Sequence, residues 1–146
     1  MSSFQYSMEN VLNYRKEKEE IAKEEFAQVQ KEYFSQRNFL KNLEEKLENA
    51  INDFLRNGKN LKNSMEFKKV QQYLLFLQKK IEMQIQLVIK AEEKLERKRQ
   101  QLLLTQRDRE IIEKHREKSF KRYLLEEKQK EQKFIDELAL YAYMRK

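Results

Sequence analysis

The sequence has no cysteine, no proline and no tryptophan, and Gly58 is its only glycine. Without cysteine there is no disulfide framework, no thiolate nucleophile and no sulfur ligand for a metal. With one glycine there can be no glycine-rich phosphate loop. Glycine and proline also punctuate the turns of sheet folds, so their scarcity leaves few places for the chain to reverse. Long apolar runs are missing as well. The longest, Leu138–Met144 and Tyr73–Leu77, fall far short of the roughly 18–20 residues that a membrane span requires. The opening Met1-Ser2-Ser3-Phe4-Gln5 has neither a basic nor an apolar segment of the kind that starts a signal peptide. These features together lead us to expect a cytoplasmic protein with no membrane insertion.

Charge and helix-forming residues fill the space. Charged residues make up 39% of the 146 residues, apolar residues another 39%, and mean hydropathy is −1.03. This composition fits a long helix or coiled coil better than a globular domain with a filled core. Disorder is the competing outcome for so charged a chain, but nine Phe, seven Tyr and many aliphatic residues recur at helical spacing. The net charge of +7 is uneven. Residues 1–56 hold nine basic and eleven acidic residues, and the remainder 23 basic and 14 acidic. The excess of cations in the second segment points to an acidic partner surface, or to attraction between the two segments.

Two seams organise the chain. Phe26, Val29, Tyr33, Gln36, Leu40, Leu43, Leu47, Ala50 and Phe54 alternate three- and four-residue steps, which is the heptad pattern of a left-handed coiled coil. Upstream, Phe4, Met8 and Val11 are read as continuing this seam, with Arg15 and Lys18 falling on it and loosening or splaying the packing. Asn57-Gly58 is a helix stop, because both residues tolerate the left-handed conformation. Lys59 to Asn63 then form a loop, and Asn63 with Glu66 three residues later supplies an N-cap. The second seam is Phe67, Val70, Leu74, Leu77, Ile81, Gln84, Val88, Ala91 and Leu95.

Two matched seams joined by a short turn predict an all-α, antiparallel two-helix coiled-coil hairpin, elongated, with a long second helix. The expected boundaries are a helix over about 5–56, a turn over 57–63 and a helix over 64–144, in one coiled-coil domain spanning residues 1–146. The helices would be roughly 78 and 120 Å long, so the last 25–30 residues or so of the second would overhang. Two alternatives remain at this stage. A break near Thr105–Asp108 would give a three-helix bundle, and a shifted register would bury the C-terminal aromatics.

No catalytic constellation can be assembled. His115 is the only histidine, with Glu110 and Glu113 nearby, and a lone histidine beside carboxylates is ordinarily a solvated residue. No serine or cysteine is paired with a base, and Glu44-Glu45 and Glu92-Glu93 are expected to face water on a helix. We therefore expect a non-enzyme with no cofactor and no metal. The cations from Arg97 to Arg122 raise nucleic-acid binding as an alternative. Glu92, Glu93, Glu96, Asp108, Glu110, Glu113 and Glu117 interrupt them, whereas a phosphate-binding helix keeps its cations free of acids. The tail carries Phe120, Tyr123, Leu124, Phe134, Ile135, Leu138, Leu140, Tyr141, Tyr143 and Met144, and exposed apolar surface of that kind marks partner sites.

The opening Phe4-x-Tyr6-x-Met8-x-x-Val11-Leu12-x-Tyr14-Arg15-Lys16 resembles the start of the flagellar export protein FliJ family. The ending is similar to that family's C-terminal pattern, with Glu113-Lys114, Lys118, Tyr123, Glu131-Gln132-Lys133, Asp136-Glu137 and Ala139. The resemblance covers essentially the whole chain, although the middle is richer in Phe, Tyr and Lys and poorer in Ala than many members. It implies a soluble, stalk-like coiled coil of the flagellar type III export apparatus. Such a protein would bind and promote the export ATPase ring, engage the cytoplasmic domain of the membrane export gate and bind export chaperones. The location implied is the cytoplasmic face of the inner membrane at the flagellar base. Candidate partner-binding residues are Phe4, Tyr6, Met8, Val11, Tyr14, Arg15, Tyr123, Lys133, Phe134, Asp136, Glu137, Leu138 and Tyr141. A self-associating structural scaffold is the alternative from a different class.

Overall fold

The structure, a computed structural model, describes residues 3–60 and 63–145. Helix α1 spans Glu9–Asn57, a single 3-10 turn spans Gly58–Asn60, and helix α2 spans Ser64–Met144 without a break at Thr105–Asp108. The two helices pack against each other as an antiparallel, all-α hairpin, and no strand occurs among the described residues. Contacts divide the chain into two units, Ala22–Leu102 and Met1–Ile21 with Leu103–Lys146.

In the unit Ala22–Leu102 the two seams mesh as their spacing predicts. Every α1 seam position from Phe26 to Phe54 is buried or half-buried, as is every α2 position from Val70 to Leu95. Phe67 is more exposed but rests its ring on Phe54, with centroids 5.7 Å apart. A buried leucine such as Leu43 or Leu77 contributes about 1.5–3 kcal/mol through removal from water. The one polar residue in each seam meets its counterpart. Gln84, 4% exposed, donates from Nε2 to the backbone carbonyl of Gln36 at 2.9 Å and to its side-chain Oε1 at 2.6 Å. A buried amide is costly unless paired, so this contact fixes the register of the helices. Flanking ion pairs, Lys98 with Glu25 at 3.0 Å and Lys94 with Glu32 at 3.8 Å, fit the same alignment.

The turn differs from the expectation in one respect. Helix α1 does end at Asn57, but no described residue, Gly58 included, adopts a positive φ. The chain tightens into the 3-10 turn instead, and its i→i+3 geometry can satisfy the last carbonyls of α1. Leu61 and Lys62, part of the expected loop, lie outside the described residues. The cap of α2 is as read: Asn63 Oδ1 accepts the Glu66 N–H at 2.9 Å.

In the other unit the seam continues, in a different phase from that predicted. Leu12, 2% exposed, Glu19, 4%, and Ala22 at the unit boundary are buried and Arg15 is half-buried, while Val11 and Lys18 face outward. Strict alternation of three and four runs backward from Phe26 through these positions, polar or not. The expected splaying does not occur either. Glu19 accepts from Arg109 Nε, and Arg15 Nη1 donates to the backbone carbonyl of Asp108 at 2.7 Å. Arg109 also donates to Glu113 at 2.7 Å. The hydrogen bond from Arg109 to Glu19 raises the guanidinium above its ordinary range, with burial opposing and the charges of Glu19 and Glu113 adding to the shift.

Candidate functional site

Residues 3–8 precede the regular helix, which starts at Glu9 and not near residue 5. Their sequence explains this. Phe4, Tyr6 and Met8 are spaced by two, so a helix would point Tyr6 away from the other two, whereas an open chain puts all three on one side. The structure follows that alternation. Phe4 and Met8 are half-buried and Tyr6 is buried, while Ser3, Gln5 and Ser7 are exposed. The arm joins the helix through the Tyr6 carbonyl, which accepts the Glu9 N–H at 3.2 Å, and the Met8 carbonyl, which accepts from Leu12 at 3.0 Å.

This arm packs on α2. Tyr6, Leu12 and Ile112 form a buried cluster with Phe4 and Met8 against it. The Phe4 ring lies 5.2 Å from Phe120, edge to face, and 5.4 Å from Tyr123. The Arg116 guanidinium sits 5.7 Å from the Phe4 centroid and donates to Glu9 at 3.1 Å. Edge-to-face ring pairs and cations over rings each add about 0.5–1.5 kcal/mol beyond burial. The Tyr6 hydroxyl is 2.5 Å from His115 Nδ1. The only histidine therefore anchors the arm and is not a bare surface residue. His115, Arg116 and Ile112 are not among the candidate residues, and Phe120, expected as free tail surface, instead meets the arm; the alternation Phe4-x-Tyr6-x-Met8 is the signal that an apolar counter-surface exists on α2.

Beyond the arm's reach the character of α2 changes. From residue 128 to residue 145 every position is exposed. Lys133, Asp136 and Glu137 face solvent, and Asp136 accepts a hydrogen bond from Gln132 at 3.0 Å within the helix. Phe134 is 61% exposed, and Leu138, Tyr141, Tyr143 and Met144 are all more than half exposed. Of the tail's aromatics, Phe120 and Tyr123 are met by Phe4, whereas Phe134, Tyr141 and Tyr143 are left uncovered, so no shifted register buries the end of α2. The thirteen candidate residues fall in this one unit, but in two groups. Phe4, Tyr6, Met8, Arg15 and Tyr123 are engaged within it, whereas Val11, Tyr14 and the six from Lys133 to Tyr141 are outward.

Apolar side chains around most of a helix are typical of helices enclosed by protein. The turns from Phe134 to Met144 have this composition, with only Asp136 and Glu137 interrupting it. Such an end can bind another protein by burying its surface. Among the described residues no group of His, Cys, Asp or Glu is arranged to hold a metal ion, and no helix is long and apolar enough to cross a membrane. No curated protein and no solved structure matches the chain. The family described as Flagellar FliJ protein matches over residues 4–146, from the aromatic arm through the exposed end of α2, and the chain belongs to that family.

Proposed function

We propose that this protein is a stalk-like component of the flagellar type III export apparatus that binds and promotes the export ATPase ring. In the same reading it links that ring to the cytoplasmic domain of the export gate and escorts export chaperones. Membership of the family makes the chain a coiled-coil protein related to flagellar export; that it acts without catalysis, and the individual partners, are our inference. Residues 1–146 act in this reading as a single coiled-coil domain, held peripherally on the cytoplasmic face of the inner membrane at the flagellar base.

The observation that carries the proposal is the exposed apolar end of α2, Phe134 to Met144, which no part of α1 covers. Isolated, that surface is unfavourable in water by about 25 cal/mol per Å² of apolar area, so burial against a partner is strongly favoured. We assign this end to the ATPase ring and the basic second helix to the gate or chaperones. The test is a variant carrying Phe134→Ala, Leu138→Ala and Tyr141→Ala, assayed for stimulation of the export ATPase. Stimulation should fall by about tenfold or more if a few apolar anchors dominate the interface, with helicity by circular dichroism retained. Full stimulation with intact helicity would remove the assignment.

A further inference from the structure

Helix α2 carries a second, unused seam in the unit Ala22–Leu102. The residue immediately before each α2 seam position lies on one flank of the hairpin. Four of these are apolar and exposed: Tyr73, Phe76, Met83 and Leu87. The others are Glu66 at the start of the helix, then Lys69, Lys80, Lys90 and Lys94, and the next step, before half-buried Lys98, adds Arg97; all are exposed. No acid occurs on this flank between residues 69 and 97. The residues immediately after the seam positions make the opposite flank, and there the charges are Glu82, Glu92 and Glu96, with Lys68 at its start and Arg99 at its end opposing them. One helix thus segregates its charge, cations to one side of its core and acids to the other.

The cationic flank borders a groove whose other wall is α1. The Lys94–Glu32 pair at 3.8 Å crosses it, and α1 adds Glu25, Phe39, Lys46 and Asp53 at equivalent positions. Two clefts open along it. One, of about 430 Å³, is lined by Ala50, Asp53, Phe54, Lys69, Val70 and Tyr73 among others, and the second by Glu32, Ser35, Leu87 and Ala91 among others. The Lys80 ammonium lies over the Phe76 ring, 4.9 Å from its centroid, so the lysine in the middle of the stripe makes a cation–π contact with its aromatic neighbour.

We propose that this flank of α2, from Lys69 to Arg97, docks an acidic amphipathic helix of a partner protein. Three properties select that occupant. The three- and four-residue steps are those by which a further helix packs in left-handed geometry. The apolar side chains form a single file of four, enough to seat one helix stripe and too narrow for the broad apolar face that lies in a membrane. The five cations of α2, of which Lys94 already pairs with Glu32, outnumber the acids of the α1 wall that face them and complement carboxylates flanking that stripe. Nucleic acid would use the cations and leave Tyr73, Phe76, Met83 and Leu87 without partners. The proposal does not depend on the export reading or on the exposed end of α2.

The absence of cysteine makes a local test simple. Met83→Cys, labelled with an environment-sensitive fluorophore, reports on the cationic flank, and Ile89→Cys reports on the acidic one. The probes are two synthetic amphipathic peptides of one heptad pattern, one with glutamates beside its leucine stripe and one with lysines. The glutamate peptide should change the emission at position 83 and not at 89, and bind about tenfold or more tightly than the lysine peptide. Reversing the flank with Lys80→Glu and Lys90→Glu should invert that preference, while Glu82→Lys on the other flank should not. Equal binding of both peptides, or a response confined to position 89, would overturn the proposal. So would binding to phosphatidylglycerol vesicles or to a second copy, seen by sedimentation, at concentrations where neither peptide binds.

Discussion

Between Ala22 and Leu102 the helices meet through aliphatic and aromatic side chains with one amide pair, whereas residues 3–21 meet residues 103–123 through a mixture of arginines, carboxylates and rings. The first seam is legible as a hydrophobic pattern and is held by burial. The second keeps the same three-four alternation but fills it with Leu12, Arg15, Glu19 and, from α2, Arg109, Ile112 and Tyr123. The alternation is thus shared while the chemistry differs. A heptad can be held by paired charge where it lacks leucine, provided each buried polar group is satisfied, and no buried side-chain nitrogen or oxygen lacks a partner among the described residues.

That contrast can be broken from either side. The largest loss should come from the apolar seam. Leu77→Ala removes a nearly fully buried leucine and should cost about 2–4 kcal/mol in chemical denaturation. Next is the ionic seam. Arg109→Ala leaves the Glu19 carboxylate buried without its main partner, at a cost of about 1–3 kcal/mol. Because Glu19 raises the Arg109 pKa, the arginine's contribution is complete at any pH below the ordinary arginine range and is lost only above it. The penalty measured for Arg109→Ala should therefore show no titration of Arg109 itself over about pH 6–9. A smaller effect is expected from Tyr6→Phe, which deletes the hydrogen bond to His115 and should cost about 0.5–1.5 kcal/mol. The His115 ring resonances should shift in the same variant, since the ring loses its partner. The smallest change belongs to the turn. A Cβ at Gly58 would meet the Phe54 ring at 3.9 Å, an ordinary contact, and φ there is not positive. Gly58→Ala should be neutral or stabilising by about 0.4–1 kcal/mol.

Most of the hairpin could be read from residue spacing, because burial in a two-helix coiled coil is nearly a function of heptad position. Phe26 to Phe54 and Val70 to Leu95 are the clearest instances. Reading failed where polarity and position disagree. The spacing points to Val11 and Lys18 where the structure buries Leu12 and Glu19, because the stretch from Arg15 to Glu20 offers little apolar signal with which to choose the phase. Gly58 illustrates another limit. The stop was visible, but the means of stopping depends on whether carbonyls are satisfied by a left-handed residue or a tightened turn. At the candidate site, the exposure of Phe134, Leu138 and Tyr141 followed from counting residues on the two helices. The anchoring of Tyr6 by His115 did not, since their meeting depends on a non-helical arm and on register.

The amide pair of Gln36 and Gln84 has a further consequence, for discrimination. A foreign helix carrying leucine at the corresponding position could fill the seam but would strand Gln36 or Gln84 against hydrocarbon. In a cell rich in heptad sequences, the pair acts as a password that rewards only the matching half of the same chain. It also couples two distant positions in inheritance: losing either glutamine alone leaves the other unsatisfied, whereas exchanging both for leucine would restore satisfaction and abolish the means of telling self from other.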